Sequence, residues 1–176
     1  VVVGIIILIL LPRIIYLTRF PPTIVDEPAN IRDIQLLLSP NPPAFFDFEW
    51  DFSMAMLVHY PSIALMKLGI IDPYVAIRAA SVLMSILALI PFFFLAKKET
   101  DANIALLTTL LLSTNFFFLQ FSRVGWTNMI SLTFSAYAVW LTTVAIERLS
   151  PVWMMIAGSI IGFVSYTYRT GELFIL

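Results

Sequence analysis

Four stretches of this chain run for about the thickness of a bilayer without a single charge. They cover residues 79–96, 104–122, 124–146 and 149–168. Each is closed by ionisable side chains: Lys97-Lys98-Glu99, Arg123, Glu147-Arg148 and Arg169 in turn. A hydrocarbon layer about 30 Å thick is crossed by about 20 helical residues. In lipid the backbone must satisfy its own polar groups, which only helices and closed barrels do. These runs are continuous rather than alternating, which excludes a barrel. A fifth apolar run, 1–17, is interrupted by Pro12 and Arg13. The fold expected is therefore an all-α polytopic membrane protein with spans at about 1–17, 79–96, 104–122, 124–146 and 149–168. Composition agrees, with 60% hydrophobic and 12% charged residues, where soluble domains carry about 25% charge. A net charge of -1 leaves no basic surplus for nucleic acid. With no cysteine, disulfides, thiol catalysis and cysteine zinc sites are excluded, and the single histidine, His59, excludes a multi-histidine metal site. The chain starts inside one apolar run and stops inside another, as a piece of a longer polytopic protein would.

The polar minority is concentrated. Residues 18–52 hold six prolines, six acidic residues and only two arginines, Arg19 and Arg32. A loop of this length is usually functional or disordered. Within it, 30–38 can form a short helix lying on the membrane with Ile31, Ile34, Leu37 and Leu38 facing down. Residues 53–71 are long enough to span but contain His59, Pro61 and Lys67. Charge at mid-membrane is costly, so this segment reads as an interfacial or re-entrant helix. On that reading Asp26, Glu27, Arg78, Arg123, Asn128 and Arg169 share one side. That side also carries more Lys and Arg than the other, namely Arg19, Arg32, Lys67, Arg78, Arg123 and Arg169 against Lys97, Lys98 and Arg148. A plain positive-inside count would place it in the cytosol.

Several of these residues could carry chemistry, and each has an ordinary structural reading beside it. A carboxylate at a membrane surface, Asp26 or Glu27, can act as general base toward a hydroxyl, or be a solvated loop charge. Arg123, at a span end, can grip a lipid phosphate through its fork of donors, or snorkel to the headgroups. Asn128 can hydrogen-bond a sugar hydroxyl. Arg78 reads as a donor contact or an interface anchor. His59 reads first as a hydrogen-bonded structural residue. Tyr168 and Arg169 close the last span, Arg169 also being spaced to pair with Glu172. Gly158 and Gly162, like Ser81 and Ser85, are spaced for close helix approach. The aromatic residues near span ends fit interfacial belts. No Walker loop, dinucleotide loop or nucleophile elbow is present. A divalent cation could sit on Asp26 and Glu27, but no closed ligand set accompanies them.

The order of these features resembles the GT-C glycosyltransferases of the protein O-mannosyltransferase and aminoarabinose-transferase type. The resemblance runs over nearly the whole chain. It is carried by Val25-Asp26-Glu27 after the first span, His59-Tyr60-Pro61 through Lys67-Leu68-Gly69, and Pro73-Tyr74 through Arg78-Ala79-Ala80-Ser81. Ser122-Arg123 through Asn128, and Gly162 through Tyr166-Thr167-Tyr168, complete it. The chain departs from the pattern in lacking a second proline after Tyr60, in carrying Asn128 where many relatives have Asp, and in setting Arg169 directly after Tyr168. The resemblance implies a GT-C-like helix bundle with a long first extracytoplasmic loop. It implies a polyprenyl-phosphate-linked sugar as donor, inversion at the anomeric carbon, a hydroxyl or amine acceptor, and no required cofactor. The membrane would be a prokaryotic plasma membrane ahead of the endoplasmic reticulum, with the site extracytoplasmic. Asp26 would be the base and Glu27 a positioning group. Arg123, Asn128, Arg78, His59, Tyr168 and Arg169 would meet the donor. Two other readings stand beside it: a non-catalytic lipid-binding or assembly subunit, and a transporter fragment.

Overall fold

The computed structural model describes residues 2–44 and 56–167, and among them every regular element is helical. The first is α1, Val2–Ile14, followed by a turn and by α2, Asp26–Leu37. A 3-10 turn over Met56–His59 leads into α3, Tyr60–Lys67. Eight helical residues extend about 12 Å, well short of a bilayer core. Next comes α4, Pro73–Glu99, the longest helix at 27 residues. Its start is written in the sequence: Asp72 accepts from the Tyr74 amide at 2.8 Å and Pro73 occupies the first turn. Lys97 and Lys98 complement its C-terminal dipole.

The apolar run 104–122 is not one straight helix. It divides into α5, Ala102–Thr114, and α6, Phe116–Arg123, bent by 59° at Asn115. The cause is local. The Asn115 side chain accepts from the amides of Phe117 (3.0 Å) and Phe118 (3.4 Å), capping a new helix in mid-run. Likewise the run 124–146 does not begin as helix. Val124 is extended, residues 124–127 form a loop, and α7 covers Asn128–Arg148. A left-handed Leu149 ends α7, and α8, Pro151–Thr167, follows. By length and composition α4 and α7 can each cross a membrane. The bent α5–α6 pair is a third crossing if it is one span, and α8 is a shorter apolar helix of 17 residues.

Helices α4 and α7 lie side by side and parallel, in constant register. Thr133 Oγ1 donates to the Met84 carbonyl at 2.9 Å, and fourteen residues on, Lys98 Nζ meets Glu147 Oε1 at the same 2.9 Å. The two contacts are about 21 Å apart along the helices. Between them Phe94 and Trp140 stack with centroids 5.0 Å apart. The main core joins Leu57 and Val58 of the 3-10 turn to Met84, Ala88 and Leu89 of α4, with Phe118 of α6 and Met129 and Ile130 of α7. A second cluster, Ile34, Leu37, Met56, Ile63 and Ile77, seats α2 and α3 on the first turns of α4.

Two expectations about packing change. On α2 the buried face is Glu27, Asn30, Asp33, Ile34 and Leu37. Ile31 is only half-buried and Leu38 is exposed. The helix starts four residues earlier than its apolar pattern suggests, and its inner stripe is polar at one end. On α8 a methyl group at Gly158 or Gly162 would meet nothing within 4 Å among the described residues, and the contact with α7 runs through Ala157. Ser81 and Ser85 make polar contacts instead: Ser85 Oγ accepts from Arg13 of α1 at 3.1 Å, and Ser81 Oγ lies 3.5 Å from the Trp126 carbonyl.

Candidate active site

One end of the bundle gathers the turn after α1, helices α2 and α3, the first turns of α4, and the α6–α7 loop. Charged side chains that would be costly in lipid are buried here, and each burial has a visible reason.

Glu27, in the first turn of α2, is fully buried. Its carboxylate receives a bidentate fork from Arg78 of α4, Nε to Oε1 at 2.7 Å and Nη2 to Oε2 at 2.9 Å. The Gly125 amide donates to Oε1 at 2.7 Å and the Ile24 amide to Oε2 at 3.0 Å. Four donors fill its accepting capacity, the condition under which a buried pair is tolerated. Arg78 is as buried as Glu27 and spends Nη1 on the carbonyls of Leu17 (2.7 Å) and Pro21 (3.0 Å). Its guanidinium also lies over the Tyr74 ring, 4.5 Å from the centroid, and the Tyr74 hydroxyl hydrogen-bonds Thr23 at 3.1 Å. Arg78 therefore faces protein in this structure.

Arg123, at the end of α6, is 9% exposed. Its Nη2 donates to the carbonyls of Ile15 and of Phe20, the latter at 2.8 Å, and it sits over the Phe20 ring. Its Nε is buried and has no acceptor among the described residues. Asn128 opens α7 on the far side of the 124–127 loop, half-buried, with Oδ1 unfilled. Between α6 and α7 beside it lies an apolar groove of about 220 Å³, lined by Phe118, Phe121, Trp126, Asn128, Met129 and Leu132.

Asp26 precedes Glu27 by one residue and has the opposite environment. It is half-buried, and among the described residues its carboxylate makes no hydrogen bond or ion pair. His59 is buried against α2, with Nε2 4.0 Å from Asp33 Oδ2, and Arg32 reaches the other oxygen of Asp33 at 3.3 Å. Tyr168 and Arg169 lie outside the described residues. Thus Asp26, Glu27, Arg78, Arg123, Asn128 and His59 meet at one end of the bundle. Among the described residues no group of three or more His, Cys, Asp or Glu is arranged to hold a metal ion.

Sequence reasoning missed four participants. Asn30 donates to the Gly125 carbonyl at 2.9 Å. Gly125 is held from both sides, and Asp33 Oδ2 lies 4.0 Å from His59 Nε2. Arg13, fully buried deeper in the bundle, donates to Ser85 Oγ (3.1 Å), the Ile9 carbonyl (2.6 Å) and the Ser113 carbonyl (2.9 Å) at the end of α5. The spacing 27, 30, 33 was the available signal, since three polar residues at i, i+3 and i+6 share one helix face.

The family model for dolichyl-phosphate-mannose-protein mannosyltransferases matches residues 53–176. The chain belongs to that family. It is accordingly an integral membrane protein of the GT-C glycosyltransferase type. The family match takes in His59, Arg78, Arg123, Asn128, Tyr168 and Arg169, while α2, with Asp26 and Glu27, precedes it. No curated protein and no solved structure gives a significant match.

Proposed function

We propose that this mannosyltransferase-family chain carries the acceptor-activating side of a site that moves a sugar from a polyprenyl-phosphate donor to a hydroxyl or amine acceptor, with inversion, at the extracytoplasmic face. The observation that carries the reading is the contrast within Asp26-Glu27. Glu27 is saturated by protein donors, whereas the adjacent carboxylate is left open at the end of the bundle where Arg123 and Asn128 also lie.

The chemistry is a single displacement. The acceptor oxygen or nitrogen attacks the anomeric carbon from the face opposite the phosphate, and Asp26 accepts its proton. The bond from that carbon to the phosphate oxygen breaks, and negative charge grows on the departing polyprenyl phosphate. A preorganised cation is most effective where such charge develops. Arg123, with Nε unfilled, suits that place, with Asn128 toward the sugar. The α6–α7 groove is apolar enough for the first isoprene units of the donor. Glu27 and Arg78 act on the protein, holding the loop and the turn around the site. His59 supports α2 through Asp33, and Tyr168 and Arg169 are assigned to the donor side.

The test uses the full-length protein in lipid nanodiscs, with polyprenyl-phosphate mannose and a serine- and threonine-bearing peptide. Asp26→Asn is expected to abolish transfer with folding and insertion intact, and wild-type turnover by that variant would overturn the assignment. Arg123→Ala is expected to raise the donor KM, and an unchanged donor dependence would remove its role.

A further inference from the structure

The α6–α7 loop is clasped by α2 at a single peptide unit. The Gly125 amide donates to Glu27 Oε1 at 2.7 Å, and the Gly125 carbonyl accepts from Asn30 Nδ2 at 2.9 Å. Glu27 and Asn30 are three residues apart on one helix face, so the clasp grips both ends of Gly125 from one rigid element. Asn30 is fully buried. Among the described residues its Oδ1 has no hydrogen-bond partner, an unfilled acceptor that costs stability. An apolar residue would avoid that cost, so what Asn30 supplies is the donor directed at Gly125.

The loop side is equally constrained. A Cβ at Gly125 would lie 2.5 Å from Ile77 Cγ2 and 2.9 Å from Glu27 Oε1. Only glycine lets the loop backbone come this close to α2 and α4. Arg123 stands two residues before Gly125 and Asn128 three after, while Asp26 stands one residue before Glu27. The clasp thus joins the helix that begins with the candidate base to the loop bracketed by the candidate donor contacts.

We propose that Asn30 is a positioning residue for sugar transfer, fixing through Gly125 the separation of Asp26 from Arg123 and Asn128. This rests on the reading of Asp26 as base. Displacing a reacting group by about 1 Å costs up to about a hundredfold in rate, while binding of a lipid donor, spread over many contacts, is less sensitive.

The experiment compares wild type, Asn30→Ala and Asn30→Asp in the full-length protein, with polyprenyl-phosphate mannose and a serine- and threonine-bearing peptide. Asn30→Asp keeps the volume and replaces the donor with an acceptor facing the Gly125 carbonyl. Both variants are expected to lose about tenfold or more in kcat per folded molecule, with donor KM within about twofold of wild type. Wild-type kcat in a folded variant overturns the proposal, as does a loss confined to the amount of folded protein. Failure of both variants to fold assigns Asn30 a structural role instead and overturns it too. If Asp26→Asn retains activity, the base assignment falls and the positioning role with it. If Asp26→Asn is inactive and Asn30→Ala is normal, only the positioning role falls.

Discussion

Asp26 and Glu27 are adjacent acids with different work. Glu27 has exchanged water for four protein donors, and its partner Arg78 lies 51 residues away in the chain. Removing one member of a buried pair strands the other charge, at about 3–5 kcal/mol. Glu27→Ala is therefore expected to lower the melting temperature sharply. The double variant Glu27→Gln, Arg78→Gln should lose less than the two single losses added, because no charge is left stranded; additive losses would show that the pair is not coupled. The sequence offered the two acids different roles, Asp26 as base and Glu27 as positioning group, but not the partners of Glu27 in α4 and the α6–α7 loop. What separated them was rotation about α2, one side chain turned toward α4 and its neighbour turned aside. The arginines were legible as positions but not as contacts, since each satisfies backbone carbonyls that carry no sequence signature.

At the level of elements, hydropathy located the helices and misjudged their continuity. The run 104–122 contains no charge, proline or glycine, yet it breaks at Asn115, because one amide side chain can replace two backbone bonds. Asn115→Ala is expected to destabilise by about 1 kcal/mol, the usual value of a helix cap. A thermal scan reads this, and a loss near zero would mean that the bend does not depend on the cap. Arg13 is placed at the same break, donating to the Ser113 carbonyl where α5 runs out of amide donors for its last carbonyls. The short helix in the first loop was legible as a helix, but its depth was not. Its composition is polar, and the residues that anchor it, Glu27, Asn30 and Asp33, are the ones a hydropathy pattern assigns to water.

Across the whole molecule, the register of α4 with α7 puts the two ends of the bundle in different surroundings. Glu27, Arg78, Arg123 and Asn128 are at one end, and the Lys98–Glu147 pair is at the other. These 176 residues contain no cysteine, so single cysteines placed here, with any cysteine elsewhere in the full-length protein replaced by serine, make this directly measurable. Val25 is 91% exposed beside the site, and Glu99 is exposed at the far end. Val25→Cys in intact cells is expected to react with a membrane-impermeant maleimide, and Glu99→Cys only after permeabilisation. Equal labelling of both, or the reverse pattern, would refute the extracytoplasmic placement. The apolar runs made the membrane legible. They carried no information on which polar residues meet, because those meetings are made by the loops that the runs enclose.

The carbonyls that Arg78 and Arg123 satisfy belong to Ile15, Leu17, Phe20 and Pro21, in the turn just after the first helix. A ribosome reaches Arg123 about a hundred residues after it has made that turn, roughly 5–20 s at ordinary elongation rates. Arg78 reaches Leu17 and Pro21 sooner, but for that interval the carbonyls of Ile15 and Phe20 lack their arginine. The first helix can enter the bilayer early, but the loop bearing Asp26 and Glu27 takes its final shape only when the end of α6 arrives. The candidate site is thus completed late, and an arrest of translation before Arg123 would leave an inserted helix whose loop lacks its Arg123 and Gly125 contacts.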